Sequence, residues 1–204
     1  MTSGTSPFLA ALTDFERTVR ADDVRATRAA HEALARALDT VTPEELAVAG
    51  PRLAAVLDAV PLGGQANIAV LIGACVDNGA DATVCGPPVL THLIVNLGYA
   101  KGFARAWLDR VGGELPDPDG ELPEELLDMG AVEVVLSWWT LDGWVRAGVD
   151  FLRRPEIRRG LDRETLDHLG TLHTDLAELT GRRYDELAAA LAGTADAAPP
   201  AAGD

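Results

Sequence analysis

Lysine is almost missing from this chain: of its 17 basic residues only Lys101 is not an arginine. Cysteine is limited to Cys75 and Cys85, too few to staple 204 residues with a disulfide framework. No apolar run approaches the roughly 20 residues that span a bilayer; the longest, Ala66 to Val76, is about half that and is interrupted by Asn67. The opening Met-Thr-Ser-Gly-Thr-Ser-Pro has no cationic region followed by an apolar stretch, so no signal peptide is expected and cytoplasmic residence follows. Positive charge is in deficit. A formal net charge of −15 repels phosphates and anionic lipid, which argues against a nucleic-acid binder or a basic membrane-surface helix. Also missing are a glycine-rich phosphate loop, a dinucleotide fingerprint, a Gly-x-Ser-x-Gly elbow and a His-Glu-x-x-His pair, and no cofactor is expected.

What is present is segregated. Between Arg110 and Arg146 there is no Lys, Arg or His, but nine carboxylates (Glu114, Asp117, Asp119, Glu121, Glu124, Glu125, Asp128, Glu133, Asp142) and the tryptophans Trp138, Trp139 and Trp144. The next eighteen residues reverse the sign with Arg146, Arg153, Arg154, Arg158, Arg159 and Arg163. Segregated charge makes a field that selects partners, whereas interspersed charge mainly confers solubility.

Hydrophobic content of 48% with 24% charge is that of a globular chain. The apolar spacing predicts an all-α single domain, residues 1–192, of about nine or ten helices stacked as antiparallel pairs, then a disordered Ala/Pro/Gly-rich tail over 193–204. Ser6-Pro7 opens the first helix. A second, from about Asp22 to Leu38, places Val24, His31, Leu34, Ala35 and Leu38 on one face. Thr42-Pro43-Glu44-Glu45 reads as a capping box with Pro at the first helical position. Gly50-Pro51 is expected to interrupt that helix, Pro87-Pro88 to open a new one, and Gly98 to end it. From Gly64 to about Asn78 the chain is apolar almost all round and reads as the buried centre. Helices are further expected from about Pro123 to Trp139, Leu141 to Leu152, Arg163 to Thr180 and Arg183 to Leu191. Glycines recur at intervals of 33 or 34 residues (Gly64 and Gly98, Gly79 and Gly112, Gly86 and Gly120), a spacing that helical hairpins of similar length produce.

Three side-chain groupings bear on function. Cys75, Asp77, Cys85 and His92 carry zinc-ligand chemistry but lack a close Cys-x-x-Cys pair, so both cysteines read as core and no metal is expected. Asp117-Pro118-Asp119-Gly120 has a calcium-loop flavour, yet that register puts Leu115 and Leu126 where the first and last ligands belong. Adjacent Trp138 and Trp139 point about 100° apart on a helix, so they cannot share one narrow core stripe. The leading expectation is therefore a non-catalytic binding or regulatory module. It would engage a basic protein or a cationic small molecule through Glu124, Glu125, Asp128, Trp138, Trp139 and Trp144. The alternative is a small all-α enzyme with an apolar Trp-lined pocket and His31, His92 or His173 as acid–base. A homodimer pairing the arginine-rich segment of one copy with the acidic segment of another is the third.

Overall fold

The computed structural model describes residues 6–123, 126 and 130–193. Among them the chain forms a single all-α domain of ten α-helices with no strand. Helices α1 (Pro7–Arg20) and α2 (Val24–Ala37) make one hairpin, and α3 (Pro43–Ala54) packs against α4 (Leu62–Asp77). There follow α5 (Ala82–Arg110), α6 (Val132–Trp139), α7 (Leu141–Leu152), α8 (Pro155–Gly160), α9 (Arg163–Thr180) and α10 (Asp185–Ala192). At about 43 Å by its residue count, α5 is the strut of the molecule, touching α3, α4, α6, α7, α8 and α9. Around it Phe8, Phe15, Ile68, Ile72, Leu93 and Phe151 are sealed from solvent.

Local chemistry fixes many boundaries. Ser6 accepts from the Leu9 amide, Asp23 from Ala26 and Asp162 from Thr165, each satisfying a helix-start donor that lacks an intrahelical partner. The Thr42–Glu45 capping box is complete: the Glu45 amide donates to Thr42 Oγ1 at 3.3 Å and the Thr42 amide to Glu45 Oε2 at 2.9 Å. Gly181 ends α9 with φ 70°, a conformation that glycine adopts without steric cost.

Other expectations are corrected. Gly50-Pro51 does not split α3, and the helix runs on to Ala54. Pro87 and Pro88 lie inside α5 rather than at its start. The carbonyls that lose their usual donors belong to Thr83 and Val84, both exposed, where solvent can satisfy them. Gly98 does not end the helix either: the space beside it is open, and packing along the rest of α5 outweighs a penalty of about 1 kcal/mol. The inward face of α2 is Thr27, Ala30 and Leu34, which leaves Val24 61% exposed. The paired glycines do not occupy equivalent places; Gly64 lies in the first turn of α4 and Gly98 in the middle of α5. Helix α8 was not expected, and the tail from residue 194 lies outside the described residues.

Candidate functional site

The acidic loop that follows α5, as far as residue 123, is built onto an aromatic cluster. The Phe103 ring lies 6.0 Å from Trp107, 5.6 Å from Trp138 and 5.5 Å from Trp139, the last edge-on. Two of these indoles reach out of the cluster to hold the loop backbone. Trp107 Nε1 donates to the Glu114 carbonyl at 3.0 Å, and Trp138 Nε1 to the Pro116 carbonyl at 2.9 Å. Buried tryptophans normally find such a partner, and here the partner is the loop itself.

A single guanidinium ties the loop from the other side. Arg182, just after α9, lies 3.3 Å from Asp142, 3.5 Å from Asp119 and 3.9 Å from Asp117. Tyr184 donates its hydroxyl to Asp142 at 3.0 Å; burial, reinforced by the Asp142 charge, pushes the phenol well above its usual range. One cation against three carboxylates leaves the cluster net negative. Glu114, Glu121 and Glu133 are exposed, and no ion pair engages them among the described residues. Beside the loop an apolar groove of about 260 Å³ runs between the end of α5 and α6, lined by Phe103, Trp107, Val111, Val134 and Val135, with Arg110 at its edge.

The expected partner-binding residues separate. Trp138 and Trp144 are each 1% exposed, so both are core and neither is a surface anchor. Trp139 is half-buried, with an Nε1 that has no acceptor among the described residues. Glu124, Glu125 and Asp128 lie outside the described residues. Several arginines of the segment expected to pair between copies are engaged within the chain, whereas Arg146 is exposed. Arg154 meets Asp77, Arg158 caps the carbonyls of Ala190 and Leu191 at the end of α10, and Arg153 lies 3.6 Å from Glu186.

The three histidines stand apart from the groove. His92, on α5, stacks on Trp144 at 5.2 Å and meets Asp58 Oδ1 through Nε2 at 2.6 Å. His31 lies 6.1 Å from Phe15 beside a cavity at the α1–α2 hairpin. His173, on α9, buries an Nε2 without a partner among the described residues. Cys75 and Cys85 are fully buried; burial pushes their thiols up to about 12 and about 11, which suits inert core residues. Among the described residues no three metal-ligating side chains cluster, and no helix is long and apolar enough to cross a membrane. Lys101 is paired rather than free, 2.7 Å from Asp175 on α9.

Trp107 and Arg182 join the site from outside the expected set. Trp107 carried a signal, since Phe103 stands four residues before it on the same helical face. Arg182 carried none, being 40 positions from its Asp142 partner. No family model matches the chain, and no curated protein or solved structure resembles it.

Proposed function

We propose that this chain is a non-catalytic, cytoplasmic binding module. Its partner is a protein segment with one apolar face and a basic edge. The observation that carries the reading is the fixed acidic loop: Trp107, Trp138 and Arg182 hold it in one conformation beside an apolar groove. Binding costs less when the receptor is already ordered, and the exposed Glu114, Glu121 and Glu133 outside a groove whose one charged lining residue is Arg110 complement arginine or lysine flanking apolar anchors. Calorimetric titration with an amphipathic Leu/Arg peptide tests it. The wild-type chain is expected to bind in a salt-sensitive manner, and Glu114→Gln/Glu121→Gln/Glu133→Gln to lose about tenfold in affinity or more. Equal affinity in that triple variant, or equal binding of a Leu/Glu peptide, overturns the reading.

One observation favours a second reading, a small all-α enzyme. Asp58 orients one nitrogen of His92 while Trp144 holds its ring plane, as a general base requires. Such a base must expose its other nitrogen to substrate. Complete protection of His92 from diethyl pyrocarbonate in the folded chain removes this reading.

A further inference from the structure

A second site lies away from the acidic loop, where the α1–α2 hairpin faces the start of α4. It encloses a cavity of about 360 Å³, at the small end of ligand pockets. Phe15, Val60 and Pro61 supply apolar walls, and Thr27, Arg28, His31 and Asn67 supply polar groups. None of these four side chains makes a hydrogen bond or ion pair among the described residues. Arg28 is exposed at the mouth of the cavity and is its one charged side chain that stays cationic at every physiological pH. Thr27 is the decisive member. It is 4% exposed, yet its hydroxyl has no protein partner, and the little surface it keeps lines this cavity. The hydroxyl is not sealed from solvent, so it offers the cavity a donor that water or a ligand can engage.

The sign of the site follows from its lining. In a chain of net charge −15, no carboxylate lines this cavity, while Arg28 does. The first turn of α4 adds to this. Its N-cap is Pro61, which offers no side-chain acceptor, and Gly63 leaves open space where a side chain would stand. Gly64 N–H already donates to the Pro61 carbonyl at 2.8 Å, which leaves the amides of Leu62 and Gly63 and the positive end of the helix dipole for an approaching anion. We propose that the cavity binds a small organic oxyanion, a phosphate ester or a carboxylate on a compact apolar body. Its charged head lies against Arg28, Asn67 and the α4 amides, its apolar part lies on Phe15 and Val60, and the Thr27 hydroxyl donates to it.

Phenyl phosphate, benzoate and phenol, titrated separately into the ¹⁵N-labelled full chain, test this by NMR. At least one of the two anions is expected to give saturable shifts at the amides of Thr27, Gly63 and Gly64. The tighter of the two identifies the head group as phosphate or carboxylate. Arg28→Ala is expected to weaken that binding about tenfold or more, and Thr27→Val to weaken it to a smaller extent. Arg28 is exposed, so its replacement leaves the core intact, and an unchanged circular dichroism spectrum checks that. No saturable shift from either anion below ~10 mM overturns the proposal. So does phenol binding as well as the anions, or an Arg28→Ala variant that retains wild-type affinity.

Discussion

Glu16 and Arg52 form a two-point ion pair between α1 and α3, with Nε to Oε1 at 2.9 Å and Nη2 to Oε2 at 2.8 Å. Glu16 is buried, while Arg52 keeps about a third of its side chain in solvent and also reaches Thr13 Oγ1 at 3.0 Å. Removing Arg52 leaves the desolvated Glu16 with only Arg20, at 3.9 Å, and such a loss costs more than the intact pair contributes. Arg52→Ala is expected to destabilise the fold by about 2 kcal/mol, less than for a fully buried pair because water reaches part of the site. The double variant Glu16→Met/Arg52→Met is expected to recover most of that loss in urea unfolding. A double variant as unstable as Arg52→Ala would show that shape, not charge, governs this contact.

Gly50 packs α3 against the end of α4 and the turn that leads into α5. A methyl group there would stand 2.6 Å from Ala80 Cβ and 3.0 Å from Cys75 Cβ, atoms fixed to the backbone that cannot swing away. Glycine to alanine within a helix normally gains about 1 kcal/mol of propensity, but overpacking of a core costs about 1–3 kcal/mol. At this position the clash wins. Gly50→Ala is expected to lower stability by about 1 kcal/mol or more, whereas Gly98→Ala, with open space beside it, is expected to raise it.

The buried thiols set an alkaline limit on stability. In the unfolded chain Cys75 and Cys85 deprotonate near their usual 9.0; in the fold burial delays this to about 12 and about 11. Between those values the unfolded state binds fewer protons than the native state, so stability falls as pH rises. The protective term is whole below about 9 and is lost progressively toward 11 and 12. Cys75→Ala/Cys85→Ala is expected to flatten that decline, measured as Tm against pH from 8 to 11. Native thiols are likewise expected to resist a disulfide reagent that labels both after unfolding.

Arg182 sets how firmly the acidic loop is held. Arg182→Ala leaves Asp117, Asp119 and Asp142 facing one another with no cation between them. Amide exchange over residues 113–120 is expected to accelerate several-fold, while that of the α4 core is unchanged. High salt is expected to narrow the difference by screening the carboxylates. Identical exchange in the two proteins would show that the tryptophan and internal loop hydrogen bonds restrain it without Arg182.

Much of the fold was legible because helix signals are local. Ser6-Pro7, the Thr42–Glu45 box and Asp162 each announce a start within four residues, and Leu141–Leu152 and Arg163–Thr180 form with the expected bounds. The proline pair in α5 misled, because local propensity says nothing about exposed carbonyls that water can satisfy. The candidate site was legible only as a composition. Which tryptophan turns inward depends on α5 and α7 packing around it, and Trp144 is sealed by helices distant in sequence. The pairs that organise charge, Arg52 with Glu16, His92 with Asp58 and Arg182 with Asp142, span 36, 34 and 40 positions. No periodicity encodes them.

The α1–α2 hairpin makes most of its contacts within itself and reaches the bundle chiefly through α3, whereas α5 is gripped by six neighbours. Cooperativity is therefore uneven along the chain. The hairpin is an opening unit with its own free energy, and hydrogen exchange in α1 and α2 should report that smaller value while α5 reports global unfolding. Because the same hairpin supplies one wall of the oxyanion cavity, an occupant would act as a clasp on the least anchored part of the molecule. It would slow exchange in α1 and α2 before it moved the melting temperature.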